Sequence, residues 1–115
     1  MRESWTPVNR ANPRFSFVAN AEATGLRDGT RIVARVSQLS ACGCYVDTLD
    51  PFPIGTAVLL RIRYGSSTCE VPGKVAYTHS GCGMGVVFDN LAVEQRSTID
   101  SWLSELARKS RSSTR

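Results

Sequence analysis

Residues 56–88 read TAVLLRIRYGSSTCEVPGKVAYTHSGCGMGVVF, and this stretch decides the fold. TAVLLRIRY, TCEVPGKVAYTH and MGVVF are rich in β-branched and aromatic residues, and YGSS and SGCG between them are turn sequences. Three strands joined by tight turns are therefore expected here. Pro72-Gly73 inside the middle run predicts a bulge, or a break on an edge strand, because proline cannot donate to a ladder.

Outward from this stretch the pattern continues in both directions. Upstream, DPFPIG (50–55) is turn chemistry, and CYVD (44–47) and RIVARVSQ (31–38) read as strands, with Gly43 marking a bend or bulge between them. Further upstream, FSFVANAEAT puts Phe15, Phe17, Ala19, Ala21 and Ala23 on one face and Ser16, Asn20, Glu22 and Thr24 on the other, before a turn at residues 25–29. Downstream the period changes to 3.6. Leu91, Gln95, Ile99, Trp102, Leu103 and Leu106 recur at helical spacing, Asn90 is a candidate N-cap, and the apolar face is expected to pack on the strands. Six short strands and one helix predict an all-β fold, a small six-stranded antiparallel β-barrel with a C-terminal amphipathic helix. The expected organisation is an N-terminal arm (1–9), one domain (10–108) and a basic disordered tail (109–115).

A chain of 115 residues with 42% hydrophobic composition suffices for one core without covalent staples. No run reaches a membrane span or a secretory signal, so the expectation is a cytoplasmic protein without a membrane partner. The net charge of +4 is unevenly placed. Residues 1–35 carry +3, residues 36–107 carry −3, and the last eight residues supply the remaining +4. Twelve of the fourteen basic residues are arginine, whose planar fork matches phosphates and guanine edges. A neutral body and the lack of an aromatic stacking set argue against a nucleic-acid partner. A small anion in an arginine-lined site asks for less.

Catalytic chemistry finds no support, because one histidine and no G-x-S-x-G, P-loop or H-E-x-x-H leave no recognisable catalytic group. The reading is a protein that is not an enzyme and uses no cofactor or metal. Cys42-Gly43-Cys44 is C-x-C rather than the spacing of structural zinc, and His79 has no second histidine. Cys42, Cys44, Cys69 and Cys82 are expected to be reduced structural thiols, and His79 an exposed turn residue.

The segment RANPRFSF (10–17) places Arg10 and Arg14 four positions apart around Ala-Asn-Pro. Pro13 pushes Asn12 out of the α region, so the arginines lie on a loop entering a strand. QLSACG (38–43) follows where the second strand ends. Together the two segments resemble the ligand-binding pattern of the PilZ domain family, R-x-x-x-R followed by [D/N]-x-S-x-x-G. Arg10 and Arg14 match the first motif, Ser40 and Gly43 match the second, and Gln38 stands where the family has Asp or Asn. CYVD, PFPIGTAVLLRI, GKVAYT, GMGVVFDNL and the terminal helix follow the family's order of elements over residues 10–107.

The resemblance implies a bacterial receptor domain for the second messenger cyclic di-GMP, with Arg10, Arg14, Gln38, Ser40 and Gly43 as ligand-binding residues. It also implies that the arginine arm folds over the ligand while Gln38 and Ser40, on the barrel surface, face a guanine edge and Gly43 lets the backbone approach. Arginine suits this ligand because it grips phosphate bidentately or donates to guanine O6 and N7. The expected function is a stand-alone receptor that reshapes its surface for an as yet unidentified protein effector. The alternative, favoured by Gln38, is a degenerate PilZ domain that binds no nucleotide and acts as a protein-interaction adaptor in pilus biogenesis or motility.

Overall fold

The computed structural model describes residues 13–113. They form β1 (Phe15–Gly25), β2 (Arg31–Leu39), β3 (Gly43–Asp47), β4 (Ala57–Tyr64), β5 (Ser67–His79), β6 (Gly83–Phe88) and α1 (Val93–Ser113). All strand pairs are antiparallel, and the order β1-β2-β3-β6-β5-β4 closes on itself through the pairing of Asn20–Gly25 with Val58–Arg63. This is the expected six-stranded barrel with one C-terminal helix.

Alternation explains the core. Phe17, Ala19, Ala21 and Ala23 point inward from β1 and are buried, while Val18 and Asn20 between them face out. Val36, Leu39, Val46, Val58, Leu60, Ile62, Val71, Val75, Met84 and Val86 fill the interior from the other strands. Each fully buried side chain of this size contributes roughly 1.5–3 kcal/mol relative to exposure.

The helix closes the barrel end at which β1 begins and β4 ends. Ile99, Trp102 and Leu106 are buried there, and the Trp102 ring lies 5.6 Å from both Phe17 and Tyr64. Polar contacts fix its position: the Gln95 amide donates to the Glu70 carbonyl (2.6 Å) and Arg96 to the Ala41 carbonyl (2.8 Å).

Several local expectations are corrected. Asn90 is not the N-cap. It takes a left-handed backbone (φ 52°), and Ala92 precedes the helix instead, its N–H donating to Gln95 Oε1 (2.6 Å) as in half of a capping box. The helix runs to Ser113, so the tail expected to be disordered from residue 109 is helical in its first residues. In a closed barrel β5 is no edge strand, and it runs unbroken through Pro72. The Pro72 carbonyl accepts from Asp89 N (2.9 Å), so the proline nitrogen faces the same side, beyond the end of β6, and no bond to β4 is lost. Register shifts fall between Ser16 and Ala19, between Val36 and Gln38, and between Val75 and Tyr77, rather than at Gly43 or Pro72.

Candidate functional site

A bulge sets two residues of one strand against one of its neighbour, so consecutive side chains reach the same face. In β2 the shift after Val36 turns both Ser37 and Gln38 outward, and in β5 the shift after Val75 does the same for Ala76 and Tyr77. Two rows of outward residues result. Gln38 pairs with Tyr45, Tyr45 with Gly85, and Gly85 with Tyr77, so one row crosses β2, β3, β6 and β5. The next row runs Arg35, Asp47, Gly83, His79.

Gly83 and Gly85 are the floor of this wall. A Cβ on Gly85 would overlap the Tyr77 ring, and one on Gly83 would lie 2.7 Å from Tyr45 Cε2 and 2.8 Å from its hydroxyl. Only glycine lets both rings lie down on β6. The rings of Tyr45, Tyr77 and His79 then form a cluster with centroid separations of 5.3–6.2 Å, and the Tyr45 hydroxyl bonds His79 Nδ1 at 2.9 Å.

Arg14 stands at the rim, immediately before β1. Together with Ser37, Gln38, Tyr45, Tyr77 and His79 it lines a shallow depression of about 330 Å³. Burial pushes the Tyr77 phenol up, and the charge of Arg14 and its hydrogen bond to the ring hydroxyl pull part of the way back. Burial likewise raises Tyr45, with Cys82 and Tyr77 adding to it. Both phenols are therefore neutral donors at ordinary pH. Ser37 Oγ donates to Asp47 Oδ1 (2.9 Å), which ties β2 to β3 beneath the depression.

The residues of the second motif separate into two roles. Gln38 faces the depression. Ser40 does not face the surface: it is 0% exposed, its N–H and Oγ both reach the Gly43 carbonyl (2.9 and 3.3 Å), and its Oγ accepts from Cys42 N (3.3 Å). Its hydroxyl is consumed in closing the turn that aims Gln38. Gly43 opens β3 opposite Val87, at the edge of the same wall. Arg10 lies outside the described residues. Arg14 and Gln38 are thus brought together, Ser40 and Gly43 support them from the turn, and Arg96 on the helix holds that turn through Ala41.

The sequence reading missed the aromatic part, and the expectation of no aromatic stacking set is corrected by the Tyr45–Tyr77–His79 cluster. His79 closes β5 and is partnered by Tyr45. The available signal was G-M-G at 83–85, two glycines at alternate positions of a strand, which mark a place where other groups lie on the sheet. The cysteines divide as well. Cys44 is buried and its thiol is pushed up to about 12, burial also raises Cys69, and Cys82 is exposed. The buried thiols are protonated packing groups. No helix is long and apolar enough to cross a membrane among the described residues.

Comparison with known proteins agrees with this architecture. The PilZ domain of YcgR from Escherichia coli, solved with c-di-GMP, superposes with a TM-score of 0.73 at 15% identity, covering 92% of this chain and 97% of that one. The PilZ domain of CeSA from a cellulose-synthesizing bacterium gives 0.68 at 16% identity, covering 82% and 97%. The Bacillus subtilis inhibitor of motility MotI/DgrA gives 0.72 at 18% identity, with 92% of this chain matching 53% of that one. No curated protein sequence matches. At these identities the superpositions show the fold. The family described as PilZ domain matches residues 9–105, nearly the whole length, and the chain belongs to the PilZ domain family.

Proposed function

We propose that this chain is a cyclic di-GMP receptor module that catalyses no reaction and passes the signal to a protein partner. The observation that carries the reading is the convergence of Arg14 and Gln38, from separate motifs, on one outward depression floored by Gly83 and Gly85. Cyclic di-GMP offers two phosphates and two guanines. Arg14 already stands at the rim and reaches a phosphate without a long swing, and each charge-assisted bond it makes is worth roughly 1.5–3 kcal/mol. The Gln38 amide supplies a donor and an acceptor for a guanine edge. Arg10, four residues before Arg14, supplies the second guanidinium of the grip. A ligand held by both arginines joins them to the barrel wall, and the bound ligand changes the surface that a protein partner meets.

Calorimetric titration of the purified protein with cyclic di-GMP tests this. Heat with a defined stoichiometry is expected, and no heat at high micromolar ligand overturns it. One observation favours the second reading, an adaptor that binds no nucleotide. Gln38 carries the amide of Asn on a longer stem, which displaces the head group and adds rotamer freedom to be lost, a cost of about 1 kcal/mol or fivefold to tenfold in affinity. Gln38→Asn is expected to tighten binding by that factor. If wild type, Gln38→Asn and Gln38→Asp are all silent, the adaptor reading replaces the receptor reading.

A further inference from the structure

Four arginines lie outside the depression above, and alternation along three adjacent strands collects them on one wall. Arg31 and Arg35 face out from β2, and Arg61 and Arg63 face out from β4, with β1 between. In register, Arg35–Asn20–Arg63 form one row and Val33–Glu22–Arg61 the next. Arg31 pairs with Glu22 at 3.5 Å. Arg35, Arg61 and Arg63 make no ion pair among the described residues, although Asp47 of β3 sits opposite Arg35 and Glu70 of β5 opposite Arg61 in register. Inside this frame Val33 is 82% exposed, and Val18 is 72% exposed on β1 beyond Asn20. Asn20, Glu22, Val33, Arg61 and Arg63 line a groove of about 330 Å³.

We propose that this wall of β2, β1 and β4 docks an acidic α-helix of a partner protein. Charge complementarity selects the sign, since the outward positions of β2, β1 and β4 carry four guanidiniums against one carboxylate, Glu22, already engaged by Arg31. Spacing selects the helix. Arg61 and Arg63, two residues apart on one strand, stand roughly 6.5–7 Å apart, close to the 5–6 Å between carboxylate-bearing positions i and i+4 of a helix. Arg35, two strands away at about 9.5 Å and at right angles to that line, flanks the other side of such a helix, which is about 10–12 Å across. An apolar side chain of the same helix then covers Val33. Glu22 and Glu70 interrupt the positive stripe that a phosphate backbone needs, and among the described residues the outward positions of these three strands carry no aromatic side chain for base stacking. Arginine around an apolar centre is instead the composition of a protein interface. The wall adjoins the row Gln38–Tyr45–Gly85–Tyr77 through β2, but Arg61 and Arg63 on β4 lie away from that row, so the proposal does not require nucleotide binding.

The test is fluorescence anisotropy with a labelled helical peptide of about 20 residues, long enough to be helical alone, carrying Glu at i and i+4 with one central Leu. Wild type is expected to bind it in low salt, with affinity falling as salt rises. The combined Arg35→Glu, Arg61→Glu and Arg63→Glu variant is expected to bind at least about tenfold more weakly. Arg61→Gln with Arg63→Gln, gentler on the fold, and a peptide with Leu replaced by Gln are each expected to bind severalfold more weakly. Calorimetry with cyclic di-GMP is expected to be the same for wild type and for Arg61→Gln with Arg63→Gln. Equal binding of the peptide by wild type and both arginine variants overturns the proposal. So does tighter binding of an oligothymidylate or of phosphatidylglycerol vesicles than of the peptide, which assigns the wall to nucleic acid or lipid. Wild-type self-association in sedimentation that the arginine variants lose also overturns it, assigning the wall to a second copy.

Discussion

Arg14 is where charge, geometry and motif coincide, and its replacement should separate binding from folding. Arg14→Ala is expected to weaken cyclic di-GMP binding more than a hundredfold, a loss of about 3 kcal/mol from two charge-assisted bonds, with an unchanged circular dichroism spectrum. Titration calorimetry checks it, and Arg14→Lys should be nearly as poor because an ammonium lacks the planar fork. Gly85→Ala tests the floor of the wall. A methyl there displaces the Tyr77 ring, so ligand affinity is expected to fall while the buried core, on the other side of β6, keeps its melting temperature within a few degrees; unchanged affinity would mean that the ring plays no part. Arg14 and Gln38 were legible in the sequence because motif spacing carries them. Ser40 was legible as a position but not as a role, since only the folded turn shows its hydroxyl bonded to Gly43 and Cys42. Tyr45, Tyr77 and His79 lie 32 and 34 residues apart along the chain from Tyr45, and the bulge that aims Tyr77 leaves no local sequence mark.

The helix is the element whose removal should cost most. Truncation before Gln95 strips Ile99, Trp102 and Leu106 from the barrel end, each worth roughly 1.5–3 kcal/mol against a total of 5–15 for a domain. A large fall in melting temperature, or failure to fold, is expected in calorimetric scans, and an unchanged midpoint would free the helix for another role. Arg96→Ala is milder, about 1 kcal/mol for one bond, yet it releases the Ala41 carbonyl and so loosens the turn that aims Gln38. Period alone revealed this helix and the alternating face of β1, because both bury one side. The Pro72-Gly73 break was misread, since a strand's neighbours are a property of the closed sheet and not of the strand.

At the scale of the whole barrel, buried thiol chemistry predicts an alkaline limit. The Cys44 thiol ionises near 9.0 in the unfolded chain and at about 12 in the folded one, so the neutral form is favoured by folding. Its contribution is constant below about pH 9 and is lost as pH rises from there toward about 12, by roughly 1.4 kcal/mol per unit. Burial of Tyr45 and Tyr77 acts in the same direction. Urea midpoints at about pH 8 and about pH 10.5 should therefore differ strongly for wild type and less for Cys44→Ala, and equal drops for both would assign the alkaline loss elsewhere. A last consequence follows from β5, which pairs with β4 over Ser67–Lys74 and with β6 over Gly73–His79, changing neighbours at the Pro72-Gly73 step. One strand thus belongs to two ladders that share only Gly73 and Lys74. Its amides should exchange with deuterium as two blocks at two rates, and cyclic di-GMP, if it binds over the depression as proposed, should slow the block after Gly73 while leaving the block before Pro72 on its original clock.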